Sequence, residues 1–371
     1  MWKPNIERLT PTQIGIIKII KSAIKGSNEE LPKEFNWDEA EEIIRCHEIQ
    51  CLAFYGLTNM KSEIPSWLQQ SFYQRMAYLT RLWDSAEKIM KSFDESKIEY
   101  VPLKGIVAKD YYPNKFMRQM SDIDILIHEK DYENKIKPIM KEMNFTEGHR
   151  TDYEIHWIKG NSNIEFHDKL IPNYNKDFYQ VIGDGWEWIK KHSNFEYSFL
   201  HFAKHYRDSG IGIGHFVDLE LLWENADLEV FNLGKFSSNI RKTLDCWFGD
   251  VEFSDIELFI TNKIFESGQF GKKEVHLSSS NIKKLKNSGG NVKVAKTKDL
   301  FLLIFPTWQS WIERNPLLRK LPFLLPFFWI ARLVSSPFKG NINGLVKKNR
   351  SIGADDDYSK QLEFVGIDYF W

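Results

Sequence analysis

Cysteine is scarce in this 371-residue chain: only Cys46, Cys51 and Cys246 are present. So sparse and odd a set excludes a disulfide-stapled scaffold and suits a reducing compartment. Long hydrophobic runs are missing too. The best candidate, LPFLLPFFWIA from Leu321 to Ala331, carries two prolines and falls short of the roughly 18 to 20 apolar residues a membrane-spanning helix needs. The N-terminal MWKPNIERLTPTQIGIIKIIKSAIKG lacks the basic, apolar and small-residue succession of a signal peptide, so a cytoplasmic location is expected. Nor is either charge sign in excess. Lys and Arg number 50 against 51 Asp and Glu, so no global field marks nucleic acid as an obligatory partner. What is abundant is aromatic: 15% of residues, with 13 tryptophans, which implies large buried rings, wide contact surfaces or both.

Periodicity divides the chain. Residues 10 to 97 read as helices, from a Thr-Pro start at Thr10 to the long run WLQQSFYQRMAYLTRLWDSAEKIMKSFDES. Cys46, His47 and Cys51 lie in this lobe, but no second ligand pair follows at zinc-site spacing, and buried small side chains explain them better. From Ile98 the pattern turns to strands. IEYVPL ends at Lys104-Gly105, GIVAKDYY fits a short helix stopped by Pro113, SDIDILIH is a strand and EKDYENKIKPIMKEMN an amphipathic helix. YEIHWIKGNSNIEFHDKL is a hairpin turning at Gly160 to Asn163. Beyond Leu170 helical spacing returns in DFYQVIGDGWEWIKK, FEYSFLHFAKHYRDSG and HFVDLELLWENADL. The polar stretch from Ser278 to Lys298 reads as an exposed loop or linker.

Two aspartates in the apolar strand SDIDILIH demand an explanation. Strand alternation places Asp122 and Asp124 on one face with Cα atoms roughly 6 to 7 Å apart, while Ile123, Ile125 and Ile127 face a layer of helices. Ionised side by side in a low-dielectric site they repel, and a divalent cation such as Mg²⁺ removes the conflict. Glu165, between Ile164 and Phe166, repeats the pattern on the hairpin and offers a third carboxylate. An EF-hand is excluded, since Leu126 stands where a third oxygen ligand is required. Just upstream, Leu103-Lys104-Gly105 ends a strand and opens a helix, an arrangement that suits phosphate through backbone N–H groups, with the Lys104 ammonium adding charge.

The stretch LKGIVAKDYYPNKFMRQMSDIDILI resembles the signature of a bacterial family of uncharacterised nucleotidyltransferases within the DNA polymerase beta-like superfamily. The resemblance is strong from Glu99 to Leu170 and extends more softly to LHFAKHYRDSGIGIGHFVDLELL. It implies an α+β (α/β) fold with a small mixed-sheet core flanked by helical regions. It also implies Mg²⁺ or Mn²⁺ on Asp122, Asp124 and Glu165, and a nucleoside triphosphate, ATP among the possibilities, whose phosphates meet Lys104, Gly105 and Arg118. Transfer of a nucleoside monophosphate would follow a two-metal scheme. Acceptors of four kinds stay open: a small molecule, a sugar phosphate, a lipid-linked carrier or a protein. Ile106 stands where the superfamily has a second small residue, and the interval from Gly105 to Asp122 is longer than its usual one. Arg118 is open between pairing with the carboxylates and reaching a phosphate.

His167, His205 and Asp218 are further candidates for the substrate cleft. His201 and His205 have the i, i+4 spacing of zinc ligands without the glutamate of a metalloprotease motif, and the glycines of SGIGIGHF suit a helix-to-helix turn. The expected layout is a helical N-terminal lobe (1–97), a nucleotidyltransferase core (98–170), a helical C-terminal lobe (171–310) and a basic, aromatic segment (311–371). Between Trp311 and Arg350 eight Lys and Arg stand against one acid, Glu313. That segment reads first as a proline-broken core helix, with peripheral membrane contact as the alternative. Two other functions are weighed beside catalysis: a catalytically weak nucleotide-binding regulatory module, and a membrane-peripheral partner in envelope polysaccharide assembly.

Overall fold

The computed structural model describes residues 6–130, 132–151, 153–171, 182–183, 185–192, 194–223, 234–269, 271, 273–305, 318, 321–335 and 356–367. Helix α1 (Pro11–Lys25) opens with a reciprocal cap. The Thr10 hydroxyl accepts from the Gln13 N–H at 3.1 Å and the Gln13 side chain accepts from the Thr10 N–H at 2.8 Å. Helices α2 (Trp37–Cys46), α3 (Gln50–Asn59) and the 30-residue α4 (Ser66–Glu95) complete the first region. Next come β1 (Tyr100–Pro102), α5 (Gly105–Ala108), β2 (Ile123–Ile127), α6 (Tyr132–Glu142), β3 (Thr146–Arg150), β4 (Glu154–Lys159) and β5 (Ser162–His167). The chain continues through α7 (Trp186–Ile189), α8 (Asn194–Asp208), α9 (Ile213–Trp223), α10 (Lys235–Phe248) and α11 (Asp255–Ser267). Four more helices follow: α12 (Lys273–Lys286), α13 (Val292–Ile304), α14 (Leu325–Ser335) and α15 (Asp356–Val365). Among the described residues no helix is long and apolar enough to cross a membrane.

The five strands form one mixed sheet in the order β1-β2-β5-β4-β3, as an α+β core requires. β2 runs parallel to β5, with Asp124 opposite Glu165, and the other pairs are antiparallel. Because alternate residues face opposite ways, Ile123, Ile125, Ile164, Phe166 and Trp157 share the apolar face. They pack on Leu79, Leu82, Ala86, Ile89 and Phe93 of α4 and on Ile136 and Met140 of α6. Full burial of a side chain such as Phe166 is worth about 1.5–3 kcal/mol, so this layer fixes the register and hence which way the acids point. A second core joins α1 to α3 with α8 to α11 and α15. A third, including Leu103, Leu126, Tyr197 and Leu200, covers one end of the sheet's opposite face.

Two expectations change. TEGHR has no apolar alternation to mark a strand, yet it pairs with β4 as the sheet's edge, where solvent makes few demands on side chains. The supposed linker from Ser278 to Lys298 is instead largely helical. Ser279, Asn281 and Ile282 of α12 are buried, the Ser279 hydroxyl donates to Asp208 at 2.8 Å, and Asn291 caps α13. Tertiary contacts there outweigh the poor helix propensity of Ser and Asn. Residues 177–181 and 184 of DFYQVIGDGWEWIKK lie outside the described residues, as do much of 311–350 and residues 368–371; α7 covers its WEWI portion.

Candidate active site

The polar face of the sheet is built by register. Asp122 immediately precedes β2, Asp124 lies within it, and Glu165 sits opposite Asp124 on β5, with His156 of β4 opposite Glu165. The backbone N–H of Leu103 donates to the Asp124 carbonyl at 3.0 Å, which holds the end of β1 against β2 and sets Lys104 over the acids. Lys104 takes φ 54°, a left-handed conformation that costs a side-chain-bearing residue about 1–3 kcal/mol. That cost is offset by a buried ion pair, Lys104 Nζ to Asp124 Oδ1 at 2.7 Å. His167 Nε2 approaches the same oxygen at 2.8 Å. Glu165 Oε1 accepts from the Asn163 amide at 2.8 Å and lies 3.2 Å from His156 Nδ1, while His156 Nε2 is 3.4 Å from Glu154.

The charges respond to this crowding. Burial, then the neighbouring charges of Asp124 and Glu165, push the Asp122 carboxyl up to about 7. Burial acts in the same sense on Asp124, but the Lys104 ammonium and His167 outweigh it and hold that carboxyl below its usual range. Burial would lower the Lys104 ammonium, and Asp124 more than reverses that. One acid is therefore fixed as an anion and its neighbour is driven toward protonation. A divalent cation would relieve this arrangement, and the carboxylates and imidazoles gathered here are donors of the kind that could hold one. Ligand atoms of Asp124, Glu165 and His167 lie within 4.8 Å of one another, as do those of Glu154, His156 and Glu165; Asp122 stands outside both triplets.

A cleft of about 270 Å³ opens on the acids. Lys104, Gly105, Arg118, Asp122 and Asp124 line one side, and His201, His205 and His215 the other. His205 is lowered to about 3 by burial and then by the nearby Lys204 and Lys104 charges. His201 and His215 also lie well below the ordinary value, chiefly through burial. The wall opposite the acids thus carries neutral imidazoles, with the His201 and His205 rings 4.4 Å apart. Gly210, in the turn from α8 to α9, also lines the cleft at φ 94°. An added Cβ would come 2.4 Å from Ser267 Oγ, so both conformation and space require glycine.

The long interval after Gly105 is a brace. The Arg118 Nε–H donates to both Asp218 oxygens, at 2.7 and 2.9 Å, and the Tyr112 hydroxyl donates to Asp218 at 2.7 Å. The Gln119 carboxamide accepts from the Cys51 N–H at 2.6 Å and donates to Gln50 at 2.9 Å. DYYPNKFMRQM therefore ties the sheet to α9 and α3.

Six candidates assemble here: Lys104, Gly105, Arg118, Asp122, Asp124 and His205 line the cleft. Glu165 and His167 flank it on β5. Asp218 lies behind Arg118, whose side chain it pairs rather than leaving it for the three acids. Glu154 and His156 were missed, although their alternation in YEIHWIK with the apolar Ile155 and Trp157 is the signal that finds them. His215 has no such signal, because only the α8–α9 turn brings it to His201. His47 is not part of a metal site: its two ring nitrogens lie 3.1 Å from the Phe265 carbonyl and 3.2 Å from the Ile213 nitrogen.

Residues 33–242, more than half of the chain, match the model of a family described as an uncharacterised nucleotidyltransferase. No curated protein matches the chain, and neither does any solved structure.

Proposed function

We propose that this chain, which belongs to the uncharacterised nucleotidyltransferase family, transfers a nucleoside monophosphate from a nucleoside triphosphate to an acceptor hydroxyl or phosphate. The observation that carries this reading is a cleft that Asp122 and Asp124 line together with Lys104, Gly105 and Arg118, with Glu165 opposite Asp124 on the neighbouring strand. Asp122, Asp124 and Glu165 would hold Mg²⁺ or Mn²⁺, which supplies Lewis-acid polarisation of the triphosphate when bound.

The chain's own groups account for the rest. An acceptor oxygen forms the new bond to the α-phosphorus, the bond from that phosphorus to pyrophosphate breaks, and an acceptor hydroxyl gives up its proton to Glu165 or to Asp122. Lys104 and the Gly105 N–H balance the charge that builds on pyrophosphate. Arg118, held by Asp218, adds positive potential without leaving its partner. His205, neutral in the opposite wall, offers a hydrogen-bonding group to the acceptor or the base.

Incubation with α-labelled nucleoside triphosphates and Mg²⁺ or Mn²⁺, with mass detection of any adduct including self-modification, tests the reading. Labelled product is expected from the intact chain and none from the double variant Asp122→Ala/Asp124→Ala. Undiminished transfer by that variant would overturn the assignment. One feature favours a second reading, a nucleotide-binding module with little turnover: Lys104 already neutralises Asp124. Nucleotide binding by equilibrium dialysis without labelled product would select it.

A further inference from the structure

Among the described residues, the largest concentration of exposed apolar side chains lies far along the chain from the acids. Phe323, Phe327 and Ile330 are 68%, 66% and 59% exposed; Phe327 and Ile330, at i and i+3, share one face of α14, and Phe323 lies in the 3-10 turn that leads into it. Leu300, Phe301 and Leu302 near the end of α13 are also exposed, Phe301 at 59%. The two groups are continuous. Phe301 contacts Phe305 with ring centroids 5.1 Å apart, and Phe305 meets Trp329 of α14 edge-on at 5.4 Å. LPFLLPFFWIA is therefore divided: Phe328 and Trp329 are half-buried, Trp329 against Phe305, while Phe323, Phe327 and Ile330 point into solvent.

Charge around this patch is one-sided. α13 bears a single acid, Asp299, and it is buried against Lys284 at 2.7 Å, so the exposed charge of that helix comes from lysines, Lys293 and Lys298 among them. α14 contains no acid. In the sequence from Trp311 to Arg350 the excess continues, eight Lys and Arg to one Glu, although the whole chain is balanced at −1. A positive field flanking protruding phenyl and aliphatic groups is complementary to an anionic lipid surface. A partner protein would need holes shaped to each protruding ring; the headgroup boundary of a bilayer receives any such shape.

We infer that the α13–α14 region docks the protein on anionic membranes, with Phe301, Phe323, Phe327 and Ile330 entering the headgroup boundary and the exposed lysines of α13 drawn to anionic headgroups. The inference stands independently of the proposed transfer reaction.

Vesicle flotation of the full chain tests it, comparing phosphatidylcholine alone with a two-to-one mixture of phosphatidylcholine and phosphatidylglycerol. Recovery with the anionic vesicles is expected to exceed that with the neutral ones, to fall as salt is raised, and to drop by about tenfold or more in Phe301→Glu/Phe327→Glu. Both residues are exposed, so the variant should keep the wild-type melting temperature. Absence of flotation, or equal flotation of the variant, would overturn the inference. So would a dimer that the variant converts to monomer, which makes the tip a contact between copies of the chain. Loss of melting temperature in the variant without wild-type flotation would assign the patch to the protein's own packing and would equally refute docking.

Discussion

The two walls of the cleft solve the same physical problem in opposite ways. On the sheet wall, the buried Asp124 carboxylate stays charged because Lys104 and His167 answer it, while Asp122, crowded by burial and by the charges of Asp124 and Glu165, is driven toward protonation. On the helical wall, His201, His205 and His215 meet cationic neighbours and burial together, and they give up their charge. A secluded group thus keeps its charge where partners of opposite sign were folded beside it, and loses it where they were not. Arg118 and Asp218 bolt the two together, a charged pair spanning the gap.

The sharpest way to break the contrast is to neutralise the anchored anion. Asp124→Asn is expected to lower nucleotidyl transfer by about 10²- to 10³-fold, measured with α-labelled substrate, and to destabilise the fold by leaving Lys104 buried without its counter-ion. Adding Lys104→Met should restore much of the denaturation midpoint but none of the activity. Next in size is the bolt. Asp218→Ala leaves the buried Arg118 guanidinium unanswered and should cost about 3–5 kcal/mol in urea denaturation. Replacing both, Arg118→Met with Asp218→Leu, should recover most of that loss.

A third test uses pH. The Asp122 carboxyl stands near 7 in the folded protein against an ordinary value of 3.8. Below the lower value both states carry the proton and nothing is lost. Between the two, the unfolded chain releases its proton first, so stability falls as pH rises toward 7 and stays reduced above it. Asp122→Asn should therefore melt higher than wild type at pH 8 and nearly equal to it at pH 4. Mn²⁺ at pH 8 should raise the wild-type melting temperature more than that of the variant. The smallest effect is expected on the neutral wall. His205→Gln should change turnover by less than about tenfold and leave the pH profile between 5 and 8 unmoved, because an imidazole lowered to about 3 does not titrate there.

Much of the sheet wall was legible beforehand, because a strand's alternation converts sequence directly into facing. SDIDILIH and NIEFH each place acids against an apolar face of isoleucine and phenylalanine, and pairing in parallel was all that remained to bring Asp124 opposite Glu165. β3 was not legible: an exposed edge leaves TEGHR without an apolar rhythm. α12 was not legible either, since Ser279 and Asn281 become tolerable in a helix only once Asp208 and the neighbouring core receive them.

By itself the sequence determined the helical capping at Thr10, the strand faces, the placing of acids on the polar face of two strands and the absence of a membrane-length apolar run. These depend on neighbours within a few residues, where side-chain direction follows from backbone period. The tertiary structure alone decided that Lys104 would bond to Asp124, that Arg118 would be held by Asp218 a hundred positions away, and that three histidines from two helices would face the acids. Such pairings depend on how helices cross and how long loops close. No local rhythm encodes them, because their energies arise only when distant segments shed water together.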